Sequence, residues 1–202
     1  MRIRPTSRRS MMTYTGRTID PLHLKDTDVS IEDIAHSLSC ICRFGGHSEE
    51  HYSVAEHSLY VEALLDYRGE PDSTKLWGLL HDASEAYLGD VPRPYKSRVY
   101  FDGSDGFSLA PLSPIADVEL QVLGCVRDAF GLVWPIPLEV HRADVDVLEW
   151  ELAAQMGIEV DVPTDVSLVV AAVRASKNLE HWYDVEKEFT FRFGDLMEDY
   201  SP

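Results

Sequence analysis

A histidine and an aspartate stand side by side, His81-Asp82, inside the apolar run Leu76-Trp77-Gly78-Leu79-Leu80-His81-Asp82-Ala83-Ser84-Glu85. Such a run reads as a core helix, and a core excludes an unpaired carboxylate or imidazole, because stripping water from a charge is costly. The fold must therefore bring partners to this pair. A divalent metal is one economical partner, and a hydrogen-bonded core network is the other.

At 202 residues, 45% of them hydrophobic, the chain supports one well-formed core. It reads as one domain over 13–202, preceded by a flexible basic leader over 1–12 that carries Arg2, Arg4, Arg8 and Arg9. Met11 or Met12 offers a second start. With 35 acidic against 18 basic side chains, the formal charge of -17 repels a nucleic-acid polymer and leaves small ligands or proteins as expected partners. Three cysteines, Cys40, Cys42 and Cys125, do not make a disulfide framework. With no apolar segment of signal-peptide or membrane-spanning type, a cytoplasmic setting is expected.

The periodicity predicts an all-α bundle. Ser30-Ile31-Glu32-Asp33 resembles a capping box ahead of a first helix reaching about Cys42, and Ser53-Val54-Ala55-Glu56 opens a second that runs to Arg68-Gly69. A third helix starts near Ser73 or Thr74, carries His81-Asp82 and ends at Gly89-Asp90-Val91-Pro92. The stretch over 92–114 reads as a long loop, with Asp102 to Asp105 as a lid. Pro114 then sits in the first turn of a helix ended by Gly131, and another runs from Pro137 or Leu138 to Gly157. Periodicity does not decide between strand and helix for Val166 to Ala175, and a final helix spans about Tyr183 to Met197.

Helical spacing gathers candidate ligands. Glu85 follows His81 by one turn and shares its face, and His57 lies on the core stripe of Val54, Val61 and Leu64. Asp144 shares a face with Val140, Val147 and Leu148, whereas Asp146 falls with Glu149 and Arg142, so Asp144 is the better inward carboxylate. Two imidazoles and two carboxylates suit Zn²⁺, Mn²⁺, Co²⁺ or Fe²⁺, not Cu(I) or an iron-sulfur cluster.

His57, His81-Asp82 and Asp144 resemble the H…HD…D signature of the HD-domain metal-dependent phosphohydrolases. The flanks Arg43-Phe44, Ser53-Val54-Ala55-Glu56-His57-Ser58 and His81 through Lys96 are similar to its bacterial 5′-deoxynucleotidase branch and to related phage dATP triphosphohydrolases. The likeness runs from about Tyr14 to Leu152. It implies a single-domain HD-type bundle with His57, His81, Asp82 and Asp144 as metal ligands, the ion being Zn, Co or Mn ahead of Mg. It further implies Glu85 as the acid-base group, Arg43 as a phosphate clamp with Lys96 as a second cation, and Asp90 as a sugar contact. Phe44 stands where several relatives carry tryptophan, and either ring can lie against a sugar or base.

The resemblance implies a hydrolase of 2′-deoxyribonucleotides and a homo-oligomer, for which Phe189, Phe193 and Met197 form a candidate interface. Arg93, Lys96 and Arg98 cluster after the motif, and together with Arg43 they suit a triphosphate, so dNTP triphosphohydrolase stands ahead of dNMP 5′-nucleotidase. A nucleotide sensor without turnover is the alternative, disfavoured because all four ligands and Glu85 are present. His47 and His51 read as exposed loop histidines, His36 and Glu32 as an i,i+4 pair, and Cys40 and Cys42 as buried packing on one helix.

Overall fold

Helix boundaries follow from local chemistry. In the computed structural model, which describes residues 9–102, 112–177 and 179–200, Ser53 caps α2 (Val54–Tyr67) by accepting the Glu56 N–H at 3.1 Å. Helix α1 (Ile31–Cys40) precedes it and α3 (Asp72–Leu80) follows. Two one-turn helices, α4 (Glu85–Leu88) and α5 (Arg93–Lys96), lead to α6 (Ile115–Phe130), which stops at Gly131 in the left-handed conformation that glycine adopts at little cost. Helix α7 (Leu138–Met156) begins after Pro137 and stops at Gly157 in the same way. Val166–Ala175 is helical within α8 (Thr164–Ser176): Pro163 presets entry, and Val166, Val169 and Val170 bury at helical spacing. Helix α9 (Trp182–Asp199) follows. The architecture is all-α, with two short hairpins.

The hairpins correct two readings. Met11–Met12 is strand β1, paired antiparallel with β2 (Thr18–Ile19), so the last two residues of the leader drawn over 1–12 are paired with the domain. The stretch over 92–114 contains α5, and β3 (Tyr100–Asp102) pairs with β4 (Leu112–Pro114), so Pro114 closes a strand ahead of α6. Most of the supposed lid, from Gly103 onward, lies outside the described residues.

The Ser30 box is not made either. The Ser30 hydroxyl donates to Glu32, and Asp33 instead accepts from Thr15 N–H at 2.7 Å and Thr15 Oγ1 at 2.8 Å, pinning the chain before α1. His36 pairs with Glu186 of α9 at 3.1 Å and not with Glu32. Cys40 is exposed at the end of α1 and Cys42 lies beyond it, because Cys42 bridges Ser53 in extended backbone.

Helix α2 is the central element, packed by α3, α7 and α8, while α9 packs on α1 and α3. Trp77, Tyr52, Tyr60 and Phe189 are the bulkiest fully buried side chains. Phe189 and Phe193 belong to this core, where α9 meets its own bundle, so the stripe assigned to a subunit interface is already covered. Two charged clasps tie the helices: Arg68 reaches Asp146 and Asp165, each at 2.8 Å, and Arg192 pairs with the buried Glu62. No helix of the described residues is long and apolar enough to cross a membrane.

Helices α2 and α3 touch at Gly78, where an added Cβ would lie 2.5 Å from Leu65 Cδ1 and 3.3 Å from Glu62 Cα. Leu65 can swing away, but the α2 backbone cannot. In Gly78→Ala a helix-propensity gain of about 1 kcal/mol opposes overpacking of about 1–3 kcal/mol. Thermal melts should show the variant lower by roughly 2–4 °C. A variant melting at or above the parent temperature would contradict so tight a contact.

Candidate metal centre

Three elements supply the candidate ligands: His57 from α2, His81 and Asp82 from the turn after α3, and Asp144 from α7. The turn departs from the unbroken helix that the sequence suggests. His81 Nδ1–H donates to the Gly78 carbonyl at 2.8 Å, occupying the acceptor that a continuous helix would offer to the Asp82 N–H. The backbone tightens in response, with the Ala83 and Glu85 N–H groups bonding Leu80 O and Asp82 O at 2.9 Å. That break swings His81 and Asp82 toward α2.

His57 Nε2 and His81 Nε2 lie 3.3 Å apart, and His57, His81 and Asp82 each offer one ligand atom within 4.8 Å of the others. Asp82 Oδ2 is 3.4 Å from His81 Nε2 and 3.9 Å from His57 Nε2. Asp144 Oδ1 adds a fourth group, 3.1 Å from His57 Nε2 and 3.9 Å from His81 Nε2. Both Nδ1 atoms face pure acceptors, a carboxylate for His57 and a carbonyl for His81, so both Nε2 lone pairs are free to point at one place. Two nitrogens and two carboxylates so arranged could hold a divalent ion.

Electrostatics fit the same conclusion. Burial disfavours charged His81, but Asp82 and then Asp144 outweigh it and push its pKa up to about 9. Burial and Arg43 likewise oppose charge on His57, yet Glu151 and Asp144 raise it. Burial opposes ionisation of Asp82, and His81, His57 and Arg43 overcome it to hold the carboxyl far below its ordinary range. Asp144, despite burial, is lowered to about 2 by the two histidines. Without a metal, a proton on His81 offsets part of this negative charge.

Sequence reasoning missed Glu151, which is fully buried. It lies seven residues after Asp144, two turns on along the same face of α7. Its Oε1 accepts from His57 Nδ1 at 2.6 Å and from the Tyr52 hydroxyl at 2.8 Å, and its Oε2 accepts from Arg43 Nη2 at 2.8 Å. Arg43 Nη1 is also 3.5 Å from Asp82 Oδ2.

The group opens into a cleft of about 400 Å³ whose walls include Arg43, Phe44, Asp82, Glu85, Asp90, Arg93, Lys96 and Asp144. The expected substrate contacts thus share one cavity. Phe44 adopts φ 56° in the turn Arg43–Gly46, which lays its ring 5.5 Å from the Arg43 guanidinium. Glu85 is 4% exposed; burial first, then Asp82 and Asp90, pushes its pKa up to about 9. Its Oε2 and the Arg43 Nε are both buried without a hydrogen-bond partner among the described residues, on the wall of one cleft.

The cations differ from expectation. Lys96 is held by Glu85 at 3.4 Å and by Glu119 at 2.9 Å, and Arg43 by Glu151 and Asp82. Arg98 does not line the cleft. Arg93 is exposed there and has no ion pair among the described residues. His47 and His51 are exposed and off the cleft; His51 lines a separate cavity beside Tyr52 and Glu56.

No family model matches the chain. It is 32% identical over 139 residues to the uncharacterized protein YfdR of Escherichia coli, covering 69% of this chain and 68% of that protein. It is 35% identical over 134 residues to the uncharacterized protein RCAP_rcc00048 of Rhodobacter capsulatus, covering 64% of this chain and 62% of that protein, less than two thirds of its length.

Proposed function

This chain belongs to the family of Escherichia coli YfdR, and we propose that it is a metal-dependent phosphohydrolase of 2′-deoxyribonucleotides with an HD-type centre. The observation that carries this reading is the convergence of His57 Nε2, His81 Nε2, Asp82 and Asp144 at the floor of the cleft. The donor set favours Zn²⁺, Co²⁺ or Mn²⁺ over Mg²⁺. A divalent ion held there supplies charge to polarise a phosphoryl oxygen and brings the pKa of water down toward about 7.

The remaining work falls to side chains. Glu85, whose carboxyl burial pushes up to about 9, is placed to give a proton to the departing 5′-oxygen, a role worth on the order of 10²–10⁴ in rate. The unpaired Arg43 Nε donates toward the phosphate, while Lys96 holds Glu85 in position. Asp90 accepts a sugar hydroxyl, and Phe44 offers a flat surface to sugar or base. The three unbridged cysteines fit a reducing, cytoplasmic setting.

The charge of the cleft supports a monophosphate substrate. Arg43 is already paired with Glu151 and Asp82, and Lys96 with Glu119, which leaves Arg93 as the wall's cation without such a partner among the described residues, beside Asp82, Asp90 and Asp144. A triphosphate would meet too little positive charge. The monophosphate reading is therefore preferred over the triphosphate that the sequence favours.

A panel of dNMPs, dNTPs and ribonucleotides with Co²⁺, Mn²⁺, Zn²⁺ and Mg²⁺ tests it. Orthophosphate from dNMPs is the expected product, and inorganic triphosphate from dNTPs would restore the other substrate. Nucleotide binding without turnover under every metal would make the protein a sensor.

A further inference from the structure

We propose that Glu151 is a positioning residue that ties the ligand His57 to the phosphate-facing Arg43 through its two carboxylate oxygens. The inference rests on the metal centre above but not on the identity of the substrate.

The geometry divides the carboxylate cleanly. Oε1 receives the His57 Nδ1–H and the Tyr52 hydroxyl, and Oε2 receives Arg43. A carboxylate can only accept, so the first bond fixes the hydrogen on Nδ1 and leaves the Nε2 lone pair aimed at His81, Asp82 and Asp144. The second bond fixes the plane of the guanidinium, whose Nη1 faces Asp82 and whose Nε has no partner among the described residues. A fully buried anion in contact with one cation alone would leave an oxygen unsatisfied; here His57 and Tyr52 serve one oxygen and Arg43 the other.

Two otherwise separate tasks thus share one support. Rotation of Glu151 to follow Arg43 would pull on His57, and the reverse. Ligand geometry and phosphate geometry are set together.

The test uses Co²⁺ alone, whose visible spectrum reports its ligands, and then inorganic phosphate on the Co²⁺-loaded protein. Glu151→Ala removes both supports: Co²⁺ affinity should fall by about 10- to 100-fold with an altered spectrum, and phosphate affinity should fall as well. Glu151→Gln is nearly isosteric, and its amide oxygen still accepts from His57, but its NH2 meets the Arg43 N–H donor to donor and no longer fixes the plane of the guanidinium. It should keep Co²⁺ affinity within a few-fold of the parent and lose phosphate affinity, and in turnover raise KM more than it lowers kcat.

Circular dichroism separates loss of fold from loss of the site, and if the alanine variant does not fold, the glutamine variant carries the test. Lowered melting temperatures with parental Co²⁺ affinity, spectrum and phosphate affinity would overturn the proposal and make Glu151 a structural group only. A parent protein that binds Co²⁺ but hydrolyses no nucleotide would overturn the phosphohydrolase reading and leave this one standing.

Discussion

Asp82→Ala should lose metal affinity and hydrolysis together while its helices stay folded. Asp82 sits in a surface-accessible turn, not in the hydrophobic packing, and its side chain supports no helix. What it supports is charge: His81, His57 and Arg43 hold it ionised against burial. Without it, one of four ligand groups is gone and the leading cause of the raised His81 pKa disappears. Metal-dependent stabilisation of phosphoryl transfer is worth several kcal/mol, so kcat/KM should drop by roughly 10³ or more. Calorimetry with Co²⁺ and a turnover assay measure both effects, with circular dichroism as the control. A folded variant with parental activity would remove the metal from the mechanism altogether.

The second large effect is expected from chelation. His81 titrates near 9 in the metal-free fold against 6.5 in an ordinary setting. Its raised value stabilises the fold fully below about pH 6.5, and that stabilisation is lost as pH rises through 9, on the order of 3 kcal/mol. Glu85, also raised to about 9, works in the same direction over this range. Asp82 and Asp144 are lowered, so their contribution is present above their ordinary 3.8 and is lost only in strong acid. Metal-free protein should therefore lose stability as pH rises from about 4.5 to 9, and the His81 share alone should lower Tm by roughly 5–10 °C between pH 6.5 and 9.

Metal binding displaces the imidazole protons, so loaded protein should lack this decline and the gap between the two melting curves should widen with pH. Melts in EDTA and in excess Mn²⁺ from pH 5.5 to 9.5 measure it. Parallel curves would show that protons and metal do not compete for His81.

Much of this was legible because the signals are local. Ser53 before α2, and Gly131 and Gly157 after α6 and α7, are short-range devices that act wherever they occur, and the structure uses each. The candidate ligands on α2 and α7 were readable from spacing, since an inward stripe of valines carries its polar neighbours with it. Less legible were features in which a distant residue competes with a local one. Ser30 and His36 have suitable neighbours in sequence, yet Thr15 satisfies Asp33 and Glu186 pairs with His36, across other parts of the fold. The break after Leu80 has no glycine or proline to announce it; a side chain taking a backbone acceptor makes it. Glu151 was hidden among 35 acidic residues, although its seven-residue offset from Asp144 was a usable clue. The charge state of the cleft could not be read from a count of nearby cations, because Arg43 and Lys96 are paired by residues far away in sequence.

The packing of α9 against α1 and α3 has a consequence for the order in which this protein is made. Every candidate ligand, and Glu151 with them, is already part of the growing chain before Trp182 is added. Until then the helices that carry His57 and His81 lack the wall supplied by Phe189 and Phe193 and the clasp of Arg192 on Glu62. A chain at that stage therefore owns all the pieces of the candidate site without the walls that hold them still.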